Sequence, residues 1–340
     1  MPRALFLALS LALLAPVPSP AQGGLQVAEL GECPLESGAV IQNCRVAYRT
    51  FGRLDSARSN AVLFTTQFTG TSAQIAGYVG ADGLVDTTKH FVIAVDAFGN
   101  GVSSSPSNST AQPGAGFPRI AIRDMVAAQY RLVTEVLGLP SLHAVMGISM
   151  GGMQAFEWAV SHPGFAAKVI PIAGSPRLAA YDIVLWETAL RILATYEESG
   201  SVAASAALFG LSFLVGNSPD YHARTTPRDS LPGILGRLDG MPLPVPIARN
   251  LATQIHAMID HNVAAPHDDS LERAAARVRA DLLVIVTVRD HVVTPGPALE
   301  FAELLGAEPL VLTSDCGHNG LRCDAEQLEQ AVQRFLAGPN

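Results

Sequence analysis

The sequence predicts an α/β fold, with a mostly parallel eight-stranded sheet, helices on both faces and an inserted helical lid. Three observations support this prediction. Short runs of β-forming apolar residues alternate with helical patterns along most of the chain. The run 142–148 turns directly into a helix at a serine flanked by glycines. The segment 175–279 contains no clear strand and interrupts the sheet. A chain of 340 residues with 49% hydrophobic content can bury such a core.

The individual elements follow from local periodicity. The first two strands are predicted to form a hairpin, because Val46, Tyr48 and Thr50 alternate as strand residues. Continuous apolar runs such as 60–66 indicate strands that are buried on both faces, and 120–137 has an apolar stripe at helical spacing. Strands are predicted at 25–32, 39–51, 60–66, 90–96, 142–148, 168–172, 281–288 and 309–313, and helices at 120–137, 151–161, 297–305 and 325–336.

We divide the chain into three parts. Residues 1–21 are predicted to be a signal peptide, 22–174 and 280–340 the sheet core, and 175–279 the helical lid. Within the lid, we expect the apolar run 202–215 to cover a site. The alternative is a helix that packs inside the insertion and contacts no ligand.

The N-terminal prediction rests on three features. Arg3 supplies a positive charge, residues 4–15 form an apolar core, and Ser19-Pro20-Ala21 offers small residues for cleavage. This apolar core is too short for a permanent membrane span, although an uncleaved anchor is the alternative. We therefore expect a secreted or periplasmic protein with no stable membrane insertion after cleavage.

The four cysteines agree with export, because disulfides persist in oxidising compartments. Four cysteines allow three pairings, and proximity in the sequence favours Cys33 with Cys44 and Cys316 with Cys323. Four free buried thiols are the alternative.

Charge and side-chain spacing exclude two classes of partner. The net charge is −8 and there is no basic cluster, which argues against nucleic acid. The lid contains several histidines and acids, but their spacing fits no known set of metal ligands. We therefore expect neither a metal nor a cofactor; the residues considered are His256, His261, His267, Asp268 and Asp269.

Gly147, Ser149 and Gly151 fit the pattern G-x-S-x-G, in which a strand turns sharply into a helix and presents a strained serine. A Cβ at either glycine would collide with the tight turn. The N-terminus of the following helix would stabilise a nearby oxyanion. We predict that Ser149 is a nucleophile; a tight turn without chemistry is the alternative.

An activated serine needs a base, and the base needs an orienting carboxylate. In folds built around this motif they follow in the order Ser, Asp, His, each after a strand. Asp290 follows strand 281–288 and His318 follows strand 309–313, so we predict these two residues. The competitors fit less well: Asp281 opens its strand, His291 lacks a later carboxylate to orient it, and Asp315 is expected to cap a loop.

Two backbone N–H groups are predicted to stabilise the oxyanion. One belongs to Met150, directly after the nucleophile, and the other to Phe68, in the loop after strand 60–66.

The residues around Ser149 resemble the corresponding segment of the homoserine O-acetyltransferase family of α/β-hydrolases. This resemblance covers nearly the whole mature chain and rests on 147–159, 48–52, 68–70, Asp290 with 292–295, and 317–318. It implies the α/β-hydrolase fold, the triad Ser149, Asp290 and His318, and a helical lid. Because related enzymes often dimerise through the lid, it also implies a homodimer.

Three positions depart from the acetyltransferase pattern. Asn319 replaces an aspartate that suits the ammonium of the substrate, the loop 96–106 replaces a long glycine-rich loop, and 175–182 lacks a clear match to a carboxylate-binding arginine segment. These variants resemble the hydrolase-like branch of the family. An exported protein would also lack acetyl-CoA, whereas water is always present.

We therefore expect a secreted serine hydrolase that cleaves a small-molecule carboxylic ester through an acyl-enzyme on Ser149. The runner-up is an O-acyltransferase that moves an acyl group to a small hydroxylated acceptor. A third interpretation is a binding protein that reuses the fold with a silent triad.

Overall fold

The computed structural model describes residues 23–338. The predicted signal peptide at 1–21 lies outside the described residues. The α/β fold predicted from the sequence is confirmed. The strands are β1 (Gln26–Pro34), β2 (Val40–Phe51), β3 (Ala61–Thr65), β4 (Val79–Gly80), β5 (Val85–Asp86), β6 (Phe91–Val95), β7 (Leu142–Ile148), β8 (Ala166–Ile172), β9 (Asp281–Leu282), β10 (Ile285–Thr287) and β11 (Leu310–Leu312).

The helices alternate with the strands of the core and fill the segment between β8 and β9. They are α1 (Ser72–Ile75), α2 (Ile122–Arg131), α3 (Met150–Ser161), α4 (Ala180–Ser199), α5 (Val202–Gly216), α6 (Pro219–Thr225), α7 (Leu231–Asp239), α8 (Val245–Ile259), α9 (Leu271–Ala275), α10 (Gly296–Leu304), α11 (Gly320–Cys323) and α12 (Ala325–Ala337).

The main sheet has the order β1-β2-β6-β3-β7-β8-β10-β11, and β9 also pairs with β8. The pairs β1–β2 and β2–β6 are antiparallel, and the other pairs of this sheet are parallel. The strands β4 and β5 form a separate pair that the sequence analysis did not predict.

This sheet contains nine strands where eight were expected, because the predicted strand 281–288 is divided into β9 and β10. The two residues between them still bond to neighbouring strands. The Leu283 N–H donates to the Val169 carbonyl over 3.0 Å, and the Val284 carbonyl accepts from the Leu310 N–H over 2.8 Å. Both β9 and β10 pair with β8 in the same register, and β10 also pairs with β11, so the regular ladder is interrupted here without a change of neighbour.

Apolar side chains of the central strands face both ways. In β3, Leu63 packs in a core cluster with Phe156 of α3, whereas Phe64 packs in a second cluster with Leu328 of α12. The sheet thus has helices on both faces, as expected for a parallel sheet whose strands are buried on each side.

The predicted helix 120–137 ends early as a regular α-helix. After Arg131 the chain makes a wider π-helical turn over Leu132–Val136. Leu132 and Val133 remain buried, so the apolar stripe continues through this turn.

The segment between β8 and β9 is helical, with α4 to α9 and no strand among its described residues. It is bonded to the core at several places. The Gln254 side chain of α8 accepts from the Thr69 N–H over 2.9 Å and donates to the Phe98 carbonyl over 3.0 Å. Between residues 23 and 338, no single helix is long and apolar enough to cross a bilayer; α5 and α6 reach that length together, but they are bent by 95°.

A buried ion pair joins the two helices on one face of the sheet. Arg123 of α2 lies 2.7 Å from the Glu157 carboxylate of α3, whose side chain is 1% exposed. Arg123 also pairs with Glu36 and donates to the Asn262 carbonyl of the inserted segment. A single guanidinium therefore connects the N-terminal hairpin, two core helices and the insertion.

We predict that Arg123→Met lowers the free energy of unfolding by about 3–5 kcal/mol, because it leaves the Glu157 carboxylate buried without a cation, bonded to the Ser161 hydroxyl. Arg119→Met is the matched control, since Arg119 forms an ion pair with Asp260 in which both side chains are largely exposed. That change is expected to cost less than about 1 kcal/mol. Urea unfolding of both variants measures the difference, and equal losses would contradict the prediction.

Candidate active site

Ser149 occupies a strained turn between β7 and α3. Its backbone has φ +58° and ψ −119°, a conformation that non-glycine residues rarely adopt. The Ser149 N–H donates to the Ile172 carbonyl of β8 over 2.8 Å, and the Ser149 carbonyl accepts from the Met153 N–H over 3.0 Å. These bonds hold the hydroxyl at the carboxyl end of the sheet.

The two glycines of the motif permit a very close approach of strand and helix. A Cβ on Gly147 would lie 2.2 Å from the Thr65 Oγ1, and one on Gly151 would lie 2.5 Å from the Thr65 carbonyl oxygen. The Thr65 hydroxyl lies 2.9 Å from the Gly151 carbonyl oxygen and 3.2 Å from that of Met146. The Thr65 hydroxyl of β3 is therefore within hydrogen-bonding distance of a carbonyl before Ser149 and of one after it.

The structure brings the three predicted side chains together. The His318 Nε2 lies 3.0 Å from the Ser149 Oγ, and the His318 Nδ1 lies 2.7 Å from the Asp290 Oδ2. The other Asp290 oxygen accepts from the N–H groups of Val292 and Val293 over 2.8 and 2.9 Å. The carboxylate is buried, so these bonds fix its direction.

A further carboxylate, which the sequence analysis did not assign, lies behind Asp290. Asp182 of α4 is fully buried. It accepts from the Thr294 N–H over 3.1 Å, from the Thr294 hydroxyl over 3.0 Å and from the Ala179 N–H over 3.2 Å. Burial raises the pKa of the Asp182 carboxyl, while these hydrogen bonds act in the opposite direction. An acidic residue in the first turn of a helix was the available sequence signal.

The two carboxylates set the proton affinity of the histidine. Burial lowers the pKa of the His318 imidazole, but the charge and hydrogen bond of Asp290 and the charge of Asp182 outweigh it. The pKa of His318 is consequently raised above its ordinary value of 6.5. A neutral imidazole at this position is a stronger base towards the Ser149 hydroxyl.

One predicted oxyanion donor directly follows Ser149 in the sequence, and the other lies in the loop after β3. Met150 begins α3, so its N–H has no acceptor within the helix. Phe68 lines the same cavity as Ser149. The loop around it is held by the Thr69 bond to Gln254 and by a bond from the Gly70 N–H to the Gln67 carbonyl. The roles of Met150 and Phe68 remain predictions.

The competing residues lie elsewhere. Asp315 forms an ion pair with Arg224 of α6 at 2.7 Å, which connects the histidine loop to the insertion. Asp281 begins β9. The His291 ring lies beside Tyr181, with centroids 6.4 Å apart. His261 is buried and bonded to the Ser175 carbonyl, and burial lowers its pKa to about 4.

A cavity of about 350 Å³ opens over Ser149. The helix α5 contributes part of its wall, so the apolar run 202–215 lies against the site. The lining residues are Gln67, Phe68, Tyr78, Ile148, Ser149, Trp186, Ser212, Val215, Gly216, Val292, His318, Asn319, Leu321 and Arg322. None of these described residues is acidic.

The structure contains both disulfides favoured by the sequence. Cys33–Cys44 joins the strands of the N-terminal hairpin, and Cys316–Cys323 encloses the short loop that carries His318. The Cys316 carbonyl also accepts from the Asn217 side chain over 2.8 Å. The histidine loop is therefore tied both to itself and to the end of α5.

We predict that Asp182→Asn shifts the pH dependence of Ser149 reactivity to lower pH. Loss of this negative charge lowers the pKa of the His318 imidazole, so the neutral base persists at lower pH. The measurement is the rate at which a fluorophosphonate labels Ser149 between pH 5 and 9. Glu198→Gln, at an exposed position of the same helix, is the control. An unchanged midpoint in the Asp182 variant would contradict the prediction.

We predict that the two disulfides differ in their effect on reactivity. Replacing either pair by serine should cost about 2–4 kcal/mol of stability. Removing Cys316–Cys323 also frees the His318 loop, and labelling of Ser149 should slow by up to about 100-fold, because small misplacements are costly in catalysis. The Cys33–Cys44 variant is the control, with a labelling rate like that of the parent. Equal labelling rates in both variants below their thermal transitions would exclude this role.

Comparison with known proteins agrees with this geometry. Residues 60–321 match the family described as alpha/beta hydrolase fold. The chain is 32% identical to an ethyl acetate hydrolase of Pseudomonas veronii over 330 residues, which cover 91% of this chain and 93% of the relative. It is 30% identical to a homoserine O-acetyltransferase of Geotalea uraniireducens, over 90% and 94% of the two chains.

A solved structure of an ester hydrolase also resembles this chain. An acetylester hydrolase from Corynebacterium glutamicum superposes with a TM-score of 0.84 and 26% identity, over 93% of this chain and 96% of the other. The resemblance to the homoserine O-acetyltransferase family is confirmed, since esterases and acetyltransferases both occur among the relatives. The chain is an enzyme of the serine hydrolase type, and it belongs to the α/β-hydrolase fold family.

Proposed function

We propose that this chain is a secreted serine hydrolase that cleaves a small carboxylic ester through an acyl-enzyme on Ser149. The proposal rests on one observation: Ser149, His318 and Asp290 form a continuous hydrogen-bonded relay of 3.0 and 2.7 Å at the wall of a cavity. Similarity to an ethyl acetate hydrolase over nine-tenths of the chain supports it.

In the first step, His318 accepts the Ser149 proton at Nε2 while the Oγ attacks the ester carbonyl carbon. Asp290 keeps the other ring nitrogen protonated and stabilises the imidazolium that forms. The developing oxyanion would be stabilised by the N–H groups of Met150 and Phe68. The C–O bond to the alcohol then breaks, and His318 returns its proton to the departing alkoxide.

In the second step, a water molecule gives a proton to His318 while its oxygen attacks the acyl carbon. The bond between this carbon and the Ser149 Oγ then breaks, and His318 returns the proton to Oγ, which releases the acid and restores Ser149. The cavity favours water over an amino-acid acceptor. An acceptor such as homoserine carries an ammonium group, and no acidic side chain among the described residues lines the cavity. The Asn319 side chain is neutral, and it donates to the Gly216 carbonyl and the Asn217 Oδ1 over 2.9 and 3.2 Å.

Two features support a location of this protein outside the cytoplasm. The two disulfides are compatible with an extracellular environment. An N-terminal segment with the composition of a signal peptide supports export. In such a compartment the enzyme would meet water and esters but not acetyl-CoA.

The second candidate is an O-acyltransferase, which the similarity to a homoserine O-acetyltransferase over 94% of its length favours. It would use the same acyl-enzyme on Ser149, and an alcohol in place of water would resolve it. The two functions differ in whether an acceptor is required.

We predict that the purified chain releases p-nitrophenol from p-nitrophenyl acetate without any added alcohol. Ser149→Ala should lower kcat/KM by on the order of 10⁴-fold or more, because the nucleophile acts as a unit with its base. Ser199→Ala, an exposed serine, is the matched control with unchanged turnover.

Addition of homoserine distinguishes the two candidates. Turnover that requires homoserine would replace the hydrolase by the acyltransferase. Absence of turnover under both conditions, together with no fluorophosphonate labelling of Ser149, would reject the proposed chemistry.

A further inference from the structure

A second cavity adjoins the one that contains Ser149. It has a volume of about 330 Å³ and lies among α4, α5, α8 and the loop after β3. The two cavities share four lining residues, which are Phe68, Trp186, Ser212 and Val215. The rings of Phe68 and Trp186 meet edge to face at this boundary, with centroids 5.2 Å apart.

The walls of the second cavity suit hydrocarbon. Its lining is apolar except for Thr69, Ser212 and the indole N–H of Trp186, and no charged side chain takes part. The Ser212 hydroxyl already donates to the Leu208 carbonyl over 3.0 Å and the Thr69 N–H donates to Gln254, whereas the buried Trp186 Nε1 has no hydrogen-bond partner among the described residues. A polar ligand would therefore find few free hydrogen-bonding groups there, whereas an apolar one would gain by leaving water.

The chemistry of the first cavity indicates which half of an ester points towards the second cavity. His318 must protonate the departing alkoxide, so the alcohol half lies on the side of the imidazole. His318 and its neighbours Asn319 and Arg322 line the first cavity and are absent from the second. The acyl half extends from the opposite side of the carbonyl carbon, towards Phe68 and the boundary.

We propose that the second cavity is a subsite for the acyl chain, and that it extends the substrate range of this enzyme to esters of unbranched acids of about six to eight carbons. This inference rests on the proposed hydrolase function. A water molecule occupies roughly 30 Å³ in the liquid, so the cavity holds on the order of ten water-sized groups. Such a chain fits inside it by passing beside the rings of Phe68 and Trp186.

The test compares kcat/KM for p-nitrophenyl acetate and p-nitrophenyl octanoate. The parent enzyme is expected to hydrolyse the octanoate at least as efficiently as the acetate. Ala189→Phe fills the second cavity from a buried position of α4. It should lower kcat/KM for the octanoate by about 10- to 200-fold, the range for lost methylene contacts in an apolar pocket, and leave the acetate value unchanged.

Ala194→Phe is the matched control, because it makes the same change at an exposed position of the same helix and should alter neither value. Leu251→Trp narrows the cavity from α8 and should reproduce the loss of octanoate turnover. The Leu251 variant tests the proposed acyl subsite if Ala189→Phe does not fold.

Two results would overturn the inference while leaving the hydrolase intact. One is a parent enzyme that turns over the acetate but not the octanoate. The other is a folded cavity-filling variant whose acetate and octanoate values fall together. Failure of the parent enzyme on both esters would instead remove the proposed function on which the inference depends.

Discussion

Ser149 is held at φ +58° because β7 and α3 approach so closely that the Thr65 hydroxyl lies within hydrogen-bonding distance of carbonyl oxygens on both sides of the turn. Such a backbone conformation costs of order 1–3 kcal/mol and persists where the surroundings over-determine it. Here the surroundings are three adjacent strands: β3 supplies Thr65, β7 leads into the turn, and β8 accepts the Ser149 N–H. The parallel sheet is therefore the frame that fixes the hydroxyl.

The remaining groups of the site come from loops at the same edge of that sheet, but the inserted segment also takes part. Asp290 and His318 follow β10 and β11. Asp182, which belongs to α4, is bonded to Thr294 in the loop of Asp290 and adds to the charge that acts on His318. The insertion thus lines part of the cavity, contributes to the electrostatics of the site and is bonded to the loops that carry Asp290 and His318.

Much of this arrangement follows from local patterns. A glycine-flanked serine after an apolar strand predicts the turn, and the order of strand ends predicts Asp290 and His318, because parallel strands bring their carboxyl ends to one edge. The division of strand 281–288 was not predictable, since it depends on how the ladder between this strand and β8 is interrupted after Leu282. The contact of Asp182 with Thr294 joins residues more than one hundred positions apart. No periodicity encodes such a contact, nor the space enclosed among α4, α5 and α8.

Phe68 lies both beside Ser149 and at the boundary between the two cavities. Its amide is a predicted donor to the oxyanion, and its ring forms part of the boundary between the two cavities. A substitution that changes the ring at the boundary is also a substitution in the loop that positions the amide. We therefore expect Phe68 to change little when the substrate range changes. Trp186 stands on the other side of the boundary and belongs to a helix of the insertion. Evolutionary change in substrate range is therefore expected to accumulate in the inserted helices, while the loop after β3 stays constant.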